Sequence, residues 1–187
     1  MKTFFSDKHI SISIEGVSGS GAPVALTGTL PVCSGKAAAA YYRHLERVLR
    51  RKCGELPFPV QAELNTELYQ PDETRCSVRV RAVLQTERGR FPFLDDGAVW
   101  DLRSGRLCTI ETLLGRPCTT RWLLRQLQPR TEPQWMLRSC PDWEARVRFS
   151  FDRQNFILTE KAVCFLLPPL TLGPLLENVC RIPLPGK

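Results

Sequence analysis

Histidine is scarce in this chain: His9 and His44 are the only two among 187 residues. A Ser-His-Asp or Cys-His nucleophilic site, or a zinc site built on imidazole, would have to use one of them. His44 has no cysteine, aspartate or second histidine at ligand spacing, neither histidine sits in a recognisable nucleophile context, and no G-x-S-x-G elbow occurs. No two of the eight cysteines stand in C-x-x-C spacing, which argues against a structural zinc site or a thioredoxin-like motif. The glycine-rich stretch at 16–21 lacks the Gly-Lys-Ser/Thr of a phosphate-binding loop and reads as a turn. No cofactor motif is present. Long apolar runs are absent too. The longest, Ala162-Val163-Cys164-Phe165-Leu166-Leu167, stops at Pro168 and Pro169, far short of the roughly 18 residues of a membrane-spanning helix.

What is present is ordinary for a globular protein: 43% apolar and 24% charged residues. The length suits one domain of fair size, or two small parts sharing a core. Lys and Arg number 26 against 19 acidic residues, a formal charge of +7. That balance permits loose attraction to nucleic acid, anionic cell-wall polymer or an acidic partner, although basic residues recur along the whole chain as they do on solvated faces. The cysteines are Cys33, Cys53, Cys76, Cys108, Cys118, Cys140, Cys164 and Cys180. Cys76 and Cys164 fall in apolar patterns and are expected to act as small buried hydrophobes, with the set mostly reduced. The first residues lack the apolar core of a secretion signal. If Met1 is the natural start, a cytoplasmic location is expected; if an anchor precedes it, an extracytoplasmic one.

Periodicity organises the chain. Ile10, Ile12 and Ile14 alternate with Ser11, Ser13 and Glu15, which predicts a strand paired as a hairpin with a second strand over Pro23 to Val32. Ser34 is a good N-cap for a helix from Gly35 to Cys53, with Ala38, Tyr41, Tyr42, Leu45, Val48 and Leu49 on its apolar face and Gly54 closing it. After Pro57-Phe58-Pro59, strands are predicted over Gln61 to Gln70 and Arg75 to Gln85. The second has Cys76, Val78, Val80, Ala82 and Leu84 on one face, and Arg75, Ser77, Arg79, Arg81 and Val83, polar at all but the last, on a wet one. Glu87 to Gly97 reads as a turn-rich link. Ala98 to Leu102 and Leu107 to Ile110 flank a Ser104-Gly105 turn, and Glu111 to Leu114 makes a helical turn. A shorter helix capped by Thr119 or Thr120 runs to Gln128, and Pro129 to Asp142 is irregular. Alternation then predicts strands over Arg146 to Phe151 (Val147, Phe149 and Phe151 inward), Asn155 to Thr159, Ala162 to Leu167 and Val179 to Pro183, with a fixed loop at Pro168, Pro169, Gly173 and Pro174. The expected class is α+β: a mainly antiparallel sheet against one long amphipathic helix and a second shorter one, without a βαβ repeat. A strand-helix-strand part over 1–94 and a C-terminal part over 95–187 are expected to form one compact unit.

Two features invite functional readings. Asp95-Asp96-Gly97 resembles the Asp-Asp-Gly of carbohydrate deacetylases, whose metal needs an aspartate and two histidines; the two histidines here fall on separate elements, and a polar turn accounts for the stretch. The arginines Arg43, Arg47, Arg50 and Arg51 on the helix, with Arg75, Arg79 and Arg81 on the strand, are the candidate contacts for a polyanion or a partner. No stacking aromatics interleave with the strand row, as a nucleic-acid surface usually requires.

The segment Ala98-Val99-Trp100-Asp101-Leu102-Arg103-Ser104-Gly105-Arg106-Leu107-Cys108-Thr109-Ile110-Glu111-Thr112-Leu113-Leu114 resembles the "strand, Asp-Leu-x-x-Gly, strand, Leu-x-Asp-Leu-Phe" passage of a bacterial domain of unknown function. Asn155-Phe156-Ile157-Leu158-Thr159-Glu160, Cys164-Phe165-Leu166-Leu167-Pro168-Pro169, Gly173-Pro174 and Arg181-Ile182-Pro183-Leu184 resemble its closing signature. That domain occurs in the extracytoplasmic part of the lysozyme-sensing anti-sigma-V factor and beside some peptidoglycan deacetylases, as a non-catalytic module. The likeness covers most of the chain, loosely before about Leu94 and better after it. The chain departs from the family in two places: Glu87 to Gly97 carries no histidine, and Leu170-Thr171 stands where the family has an aromatic-acidic pair. Lysozyme recognition and sigma regulation therefore carry over to no particular residue.

The resemblance and the failed catalytic constellations together imply a non-catalytic binding or accessory module for a protein or a cell-wall glycan. The alternatives are a small enzyme with a carboxylate or cysteine site, and a basic nucleic-acid-binding protein.

Overall fold

A computed structural model describes residues 5–17, 19–33, 36–56, 60–87, 89–127, 141–169, 171–172 and 178–184. Ser34, Pro57-Phe58-Pro59, residues 129–140 of the irregular stretch, Gly173 and Pro174 lie outside the described residues. The elements run β1 (Phe5–Val17), β2 (Pro23–Cys33), α1 (Lys36–Glu55), β3 (Val60–Asp72), β4 (Arg75–Thr86), β5 (Gly89–Asp101), α2 (Ile110–Leu114), α3 (Thr120–Leu127), α4 (Trp143–Ser150), β6 (Phe156–Leu158), β7 (Ala162–Leu166) and β8 (Val179–Pro183). The class is α+β with a mainly antiparallel sheet, and it carries four helices among the described residues rather than two. No helix among them is long and apolar enough to cross a membrane.

β1 to β5 form one sheet in sequence order, and β6, β7 and β8 form a second. Every pairing is antiparallel except β2 with β3. The exception has a physical origin. The 20 residues of α1 rise about 30 Å at 1.5 Å per residue, so the helix carries the chain back along the sheet and β3 starts from the same end as β2. One βαβ crossover therefore sits within the antiparallel scheme.

α1 covers one face of the large sheet. Ala38, Tyr41, Leu45, Leu49 and Cys53 recur at spacings of three and four and are buried against Leu26, Leu30, Ala62, Val78, Val80, Ala82 and Trp100. Gly54 does not close the helix but lies in its last turn, and its carbonyl accepts a hydrogen bond from the Gly19 amide at 3.0 Å.

The opposite face of β4 is not wet, because the small sheet lies over it. Ser77 is fully buried and Arg79 is 8% exposed. Ser77 Oγ donates to the Leu158 carbonyl at 2.8 Å and accepts from the Leu158 amide at 3.2 Å, tying β4 to β6. Arg79 donates two hydrogen bonds to Asp95, at 2.8 and 2.6 Å. This bidentate pairing supplies the charge partner that burial demands, and it keeps the guanidinium protonated more firmly than usual. Arg81 and Tyr69 both bond to Glu67 beside it.

The expected link at 87–97 is also corrected. Residues from Gly89 onward are strand, paired with β4 from Thr86↔Gly89 to Arg75↔Asp101. Gly89 takes φ 123° at the hairpin, and Pro92 is accommodated where the register shifts. β5 therefore runs through the 94/95 boundary drawn from the sequence.

β7 is buried along its whole length. Ala162, Cys164 and Leu166 pack with Ile157 between the sheets. Val163 and Phe165 face the other way, onto a core with Ile110, Leu123, Leu127 and Val147 from the three short helices. The Phe165 ring meets Trp122 and Phe151 edge-on at 6.1 and 5.5 Å. Residues 143–150 are helical, against the expected strand. Trp143 and Val147, four apart, are buried, whereas Phe149 is 95% exposed. Arg146–Asp142 and Arg148–Glu144 pair at helical spacing. Thr119 does cap α3, its Oγ1 accepting from the Trp122 amide at 3.2 Å. Cys53, Cys76, Cys118, Cys164 and Cys180 are buried; the side chains of Cys33 and Cys140 lie outside the described set.

Candidate functional site

Segments from three distant parts of the sequence meet at a cleft of about 330 Å³ beside β5. α1 contributes Tyr41 and His44, three residues apart and so on one side of the helix. β5 contributes Asp96 to Val99, the following turn Leu107 to Thr109, and the segment after α4 Asp152, Gln154 and Asn155.

The walls are held by bonds within the fold. Asn155 bridges backbone to backbone: its Oδ1 accepts from the Gly97 amide at 2.8 Å, and its Nδ2 donates to the Asp95 carbonyl at 2.9 Å. Asp152 accepts from the Gln154 amide at 2.8 Å, and the Gln154 side chain reaches Glu111 at 3.3 Å. Thr109 accepts from the Thr112 amide and caps α2. The Tyr41 ring is buried edge-on to Trp100 at 5.3 Å, and its hydroxyl donates to Asp96 Oδ2 at 2.9 Å.

Asp96 is the perturbed group. Burial pushes its carboxyl above the usual range, while the Tyr41 hydrogen bond and the proximity of His44 pull the other way. Asp152 and Asp95 add to the upward shift. Burial also pushes the Cys108 thiol up, with Asp101 adding to it, which leaves it a poor nucleophile. Burial pushes Cys118 up to about 11.

The raised carboxyl makes a stability prediction. A group bound more tightly to its proton in the folded state contributes stability below its unfolded value and loses it as pH rises through the folded value. Asp96→Asn keeps an acceptor for Tyr41 and removes the charge. It is expected to raise the melting temperature at neutral pH, with the difference from wild type closing as pH falls into the carboxylate range. Melting curves across pH check this, and a variant less stable at neutral pH would contradict the burial of a charge-bearing Asp96.

Of the arginines singled out in the sequence, Arg43 and Arg47 are exposed on α1. Arg50 pairs with Glu46 at 2.8 Å and Arg51 with Glu55 at 3.8 Å. Arg75 pairs with Asp72 at 3.0 Å, Arg79 is buried with Asp95, and Arg81 pairs with Glu67. The two groups lie on opposite sides of the large sheet, since α1 covers the face of Cys76, Val78 and Val80, and Arg79 points to the other. They form no common surface. The structure instead brings together His44 and Asp96, which the sequence placed on separate elements. The available signal was parity: Asp96 shares its strand face with Leu94, Ala98 and Trp100, all buried.

A wider groove of about 1170 Å³ opens at the end of the large sheet, lined by Val24, Val60, Leu84 and Phe91 among others. Among the described residues its polar lining consists of Gln61, Gln85, Thr86 and Glu87. Among the described residues, no cluster of His, Cys, Asp or Glu is arranged to hold a metal ion.

No protein-family model matches the chain, and no curated protein matches it. Solved structures do. One is a DUF3298 family member from Bacteroides fragilis NCTC 9343, 12% identical, with a TM-score of 0.50 over 96% of this chain and 90% of that one. Another is a DUF3298 family protein from Pseudomonas aeruginosa PAO1, 12% identical, with a TM-score of 0.47 over 96% of this chain and 91% of that one. At such identity the likeness concerns the fold, and the chain is similar in architecture to a bacterial domain of unknown function.

Proposed function

We propose that the chain is a non-catalytic binding or accessory module, of the kind found in the anti-sigma-V sensor and beside peptidoglycan deacetylases, and that it holds a cell-wall glycan in the cleft beside β5. The observation that carries this reading is the convergence of Tyr41, His44, Asp96 and Asp152 on one concave site whose frame is locked by Asn155. Fixed carboxylates are acceptors for ligand hydroxyls, and Leu107, 44% exposed on the rim, offers an apolar contact for the carbon face of a sugar ring. Against nucleophilic chemistry stands the Cys108 thiol, shifted away from the thiolate.

The test is calorimetric titration of soluble peptidoglycan fragments into wild type and into Leu107→Asp, which removes the apolar contact at an exposed position. Saturable binding to wild type, weakened about tenfold or more in the variant (about 1.4 kcal/mol), is expected. Equal binding by both, or none by either, would overturn the reading. One observation favours a second reading: Asp96, with its raised carboxyl, shares the cleft with Asp152 and His44, as a general acid with a partner would. Mass spectrometry of the fragments after incubation separates the two. Unchanged fragments fit a binder, and cleavage lost in Asp96→Asn fits an enzyme.

A further inference from the structure

The two edges of the large sheet are treated differently. The β5 edge is closed. Pro92 and a register shift interrupt it, Asn155 takes up the Gly97 amide and the Asp95 carbonyl, and the Val99 carbonyl and Asp101 amide bond to the following turn at 2.8 and 2.9 Å. The β1 edge has none of these guards over residues 9–17. Its pairing with β2 runs without a shift from His9↔Pro31 to Val17↔Pro23, no proline falls within it, and no described residue pairs with its outer side. Open edges of this length recruit strands unless charge, proline or a bulge prevents it.

The residue pattern of β1 is its own complement. Antiparallel partners face the same side of a sheet, so the two positions must share parity. A two-fold axis at Ile12 satisfies this: Ile12 meets its own copy and Ser11 meets Ser13, so isoleucine lies against isoleucine and serine against serine. The isoleucine row then continues the apolar stripe under α1. Ile14 is already buried at 3% and Ile12 partly so, and the added strand covers the exposed part of Ile12.

We propose that the chain forms a two-fold dimer by antiparallel pairing of β1 with β1 of a second copy, centred on Ile12, which joins two five-stranded sheets into one. The partner is the same chain because this register sets isoleucine against isoleucine and serine against serine, which carries the apolar stripe across the seam.

The test reads register as well as assembly. Ser11 and Ser13 are exposed, so changing them leaves the fold of one copy intact, and circular dichroism confirms this for each variant. Light scattering over a concentration series is expected to give wild type a mass approaching twice the 21.2 kDa of one chain. Ser11→Lys with Ser13→Lys sets lysine against lysine twice and is expected to give the single-chain mass. Ser11→Lys with Ser13→Glu sets lysine against glutamate twice and is expected to restore the doubled mass. Wild type at the single-chain mass throughout overturns the proposal. So does a doubled mass in the lysine pair, which means assembly elsewhere, or a failure of the lysine-glutamate pair to reassociate, which means another register.

Discussion

Arg79→Ala is expected to lower the unfolding free energy by about 3–5 kcal/mol, because it leaves Asp95 buried without its cation. Both side chains are 9% exposed and joined by two hydrogen bonds. Restoring apolar packing on both sides should recover most of the loss. Arg79→Met combined with Asp95→Leu is expected to lie within about 1–2 kcal/mol of wild type, since a buried pair is often no better than well-packed hydrophobes of similar volume. Denaturant titrations of the two variants check this. Near-neutral behaviour of Arg79→Ala would mean that the strand face is solvated after all, as the alternation of β4 alone suggests.

At Gly97 the large sheet lies close against the small one. A Cβ there would stand 2.8 Å from Ile157 Cγ2, from Leu166 Cδ1 and from the Phe156 carbonyl oxygen. The side chains can give a little, but the carbonyl belongs to β6 and cannot move alone. Gly97→Ala is expected to cost about 1–3 kcal/mol, and Gly97→Val more, as overpacking of a filled interior. The same shift pulls the Gly97 amide from Asn155 and opens the cleft, so ligand affinity should fall with stability. Gly54→Ala is the control. Nothing lies within 4 Å of that position, and alanine in a helix is worth about 0.5–1 kcal/mol over glycine. Thermal melts of the three variants give the comparison.

The parts of the fold legible in the sequence are those where one periodicity acts alone. Ile12 and Ile14 in β1, Cys76 to Leu84 in β4 and Leu45 to Leu49 in α1 each have one apolar face against one core, and alternation or helical spacing shows it. Legibility fails where a second layer intervenes. Asp95, Asp96 and Gly97 look like a turn because charge and glycine usually are solvent-facing; here Asp95 is paired with Arg79, Asp96 accepts from the Tyr41 hydroxyl on the other face, and the missing side chain of Gly97 makes room for β6. Ser77 and Arg79 look wet because nothing local announces the small sheet, which arrives from some 80 residues downstream. Val147, Phe149 and Phe151 alternate by coincidence. The spacing that decides α4 is Trp143 to Val147, with acidic residues placed four before Arg146 and Arg148. The cleft was the least legible feature. Tyr41 and Asp96 are separated by 55 positions, and Asp95 and Asn155 by 60, so no local spacing could unite them.

The ligand claim is tested most directly by following backbone amide resonances while soluble peptidoglycan fragments are added. The account predicts saturable shifts gathered at Tyr41, His44, Asp96 to Val99, Leu107 to Thr109 and Asp152 to Asn155, with the far ends of β1 and β2 silent. Shifts gathered instead on the exposed arginines of α1, or on the groove lined by Val60 and Phe91, with the cleft unmoved, would contradict it.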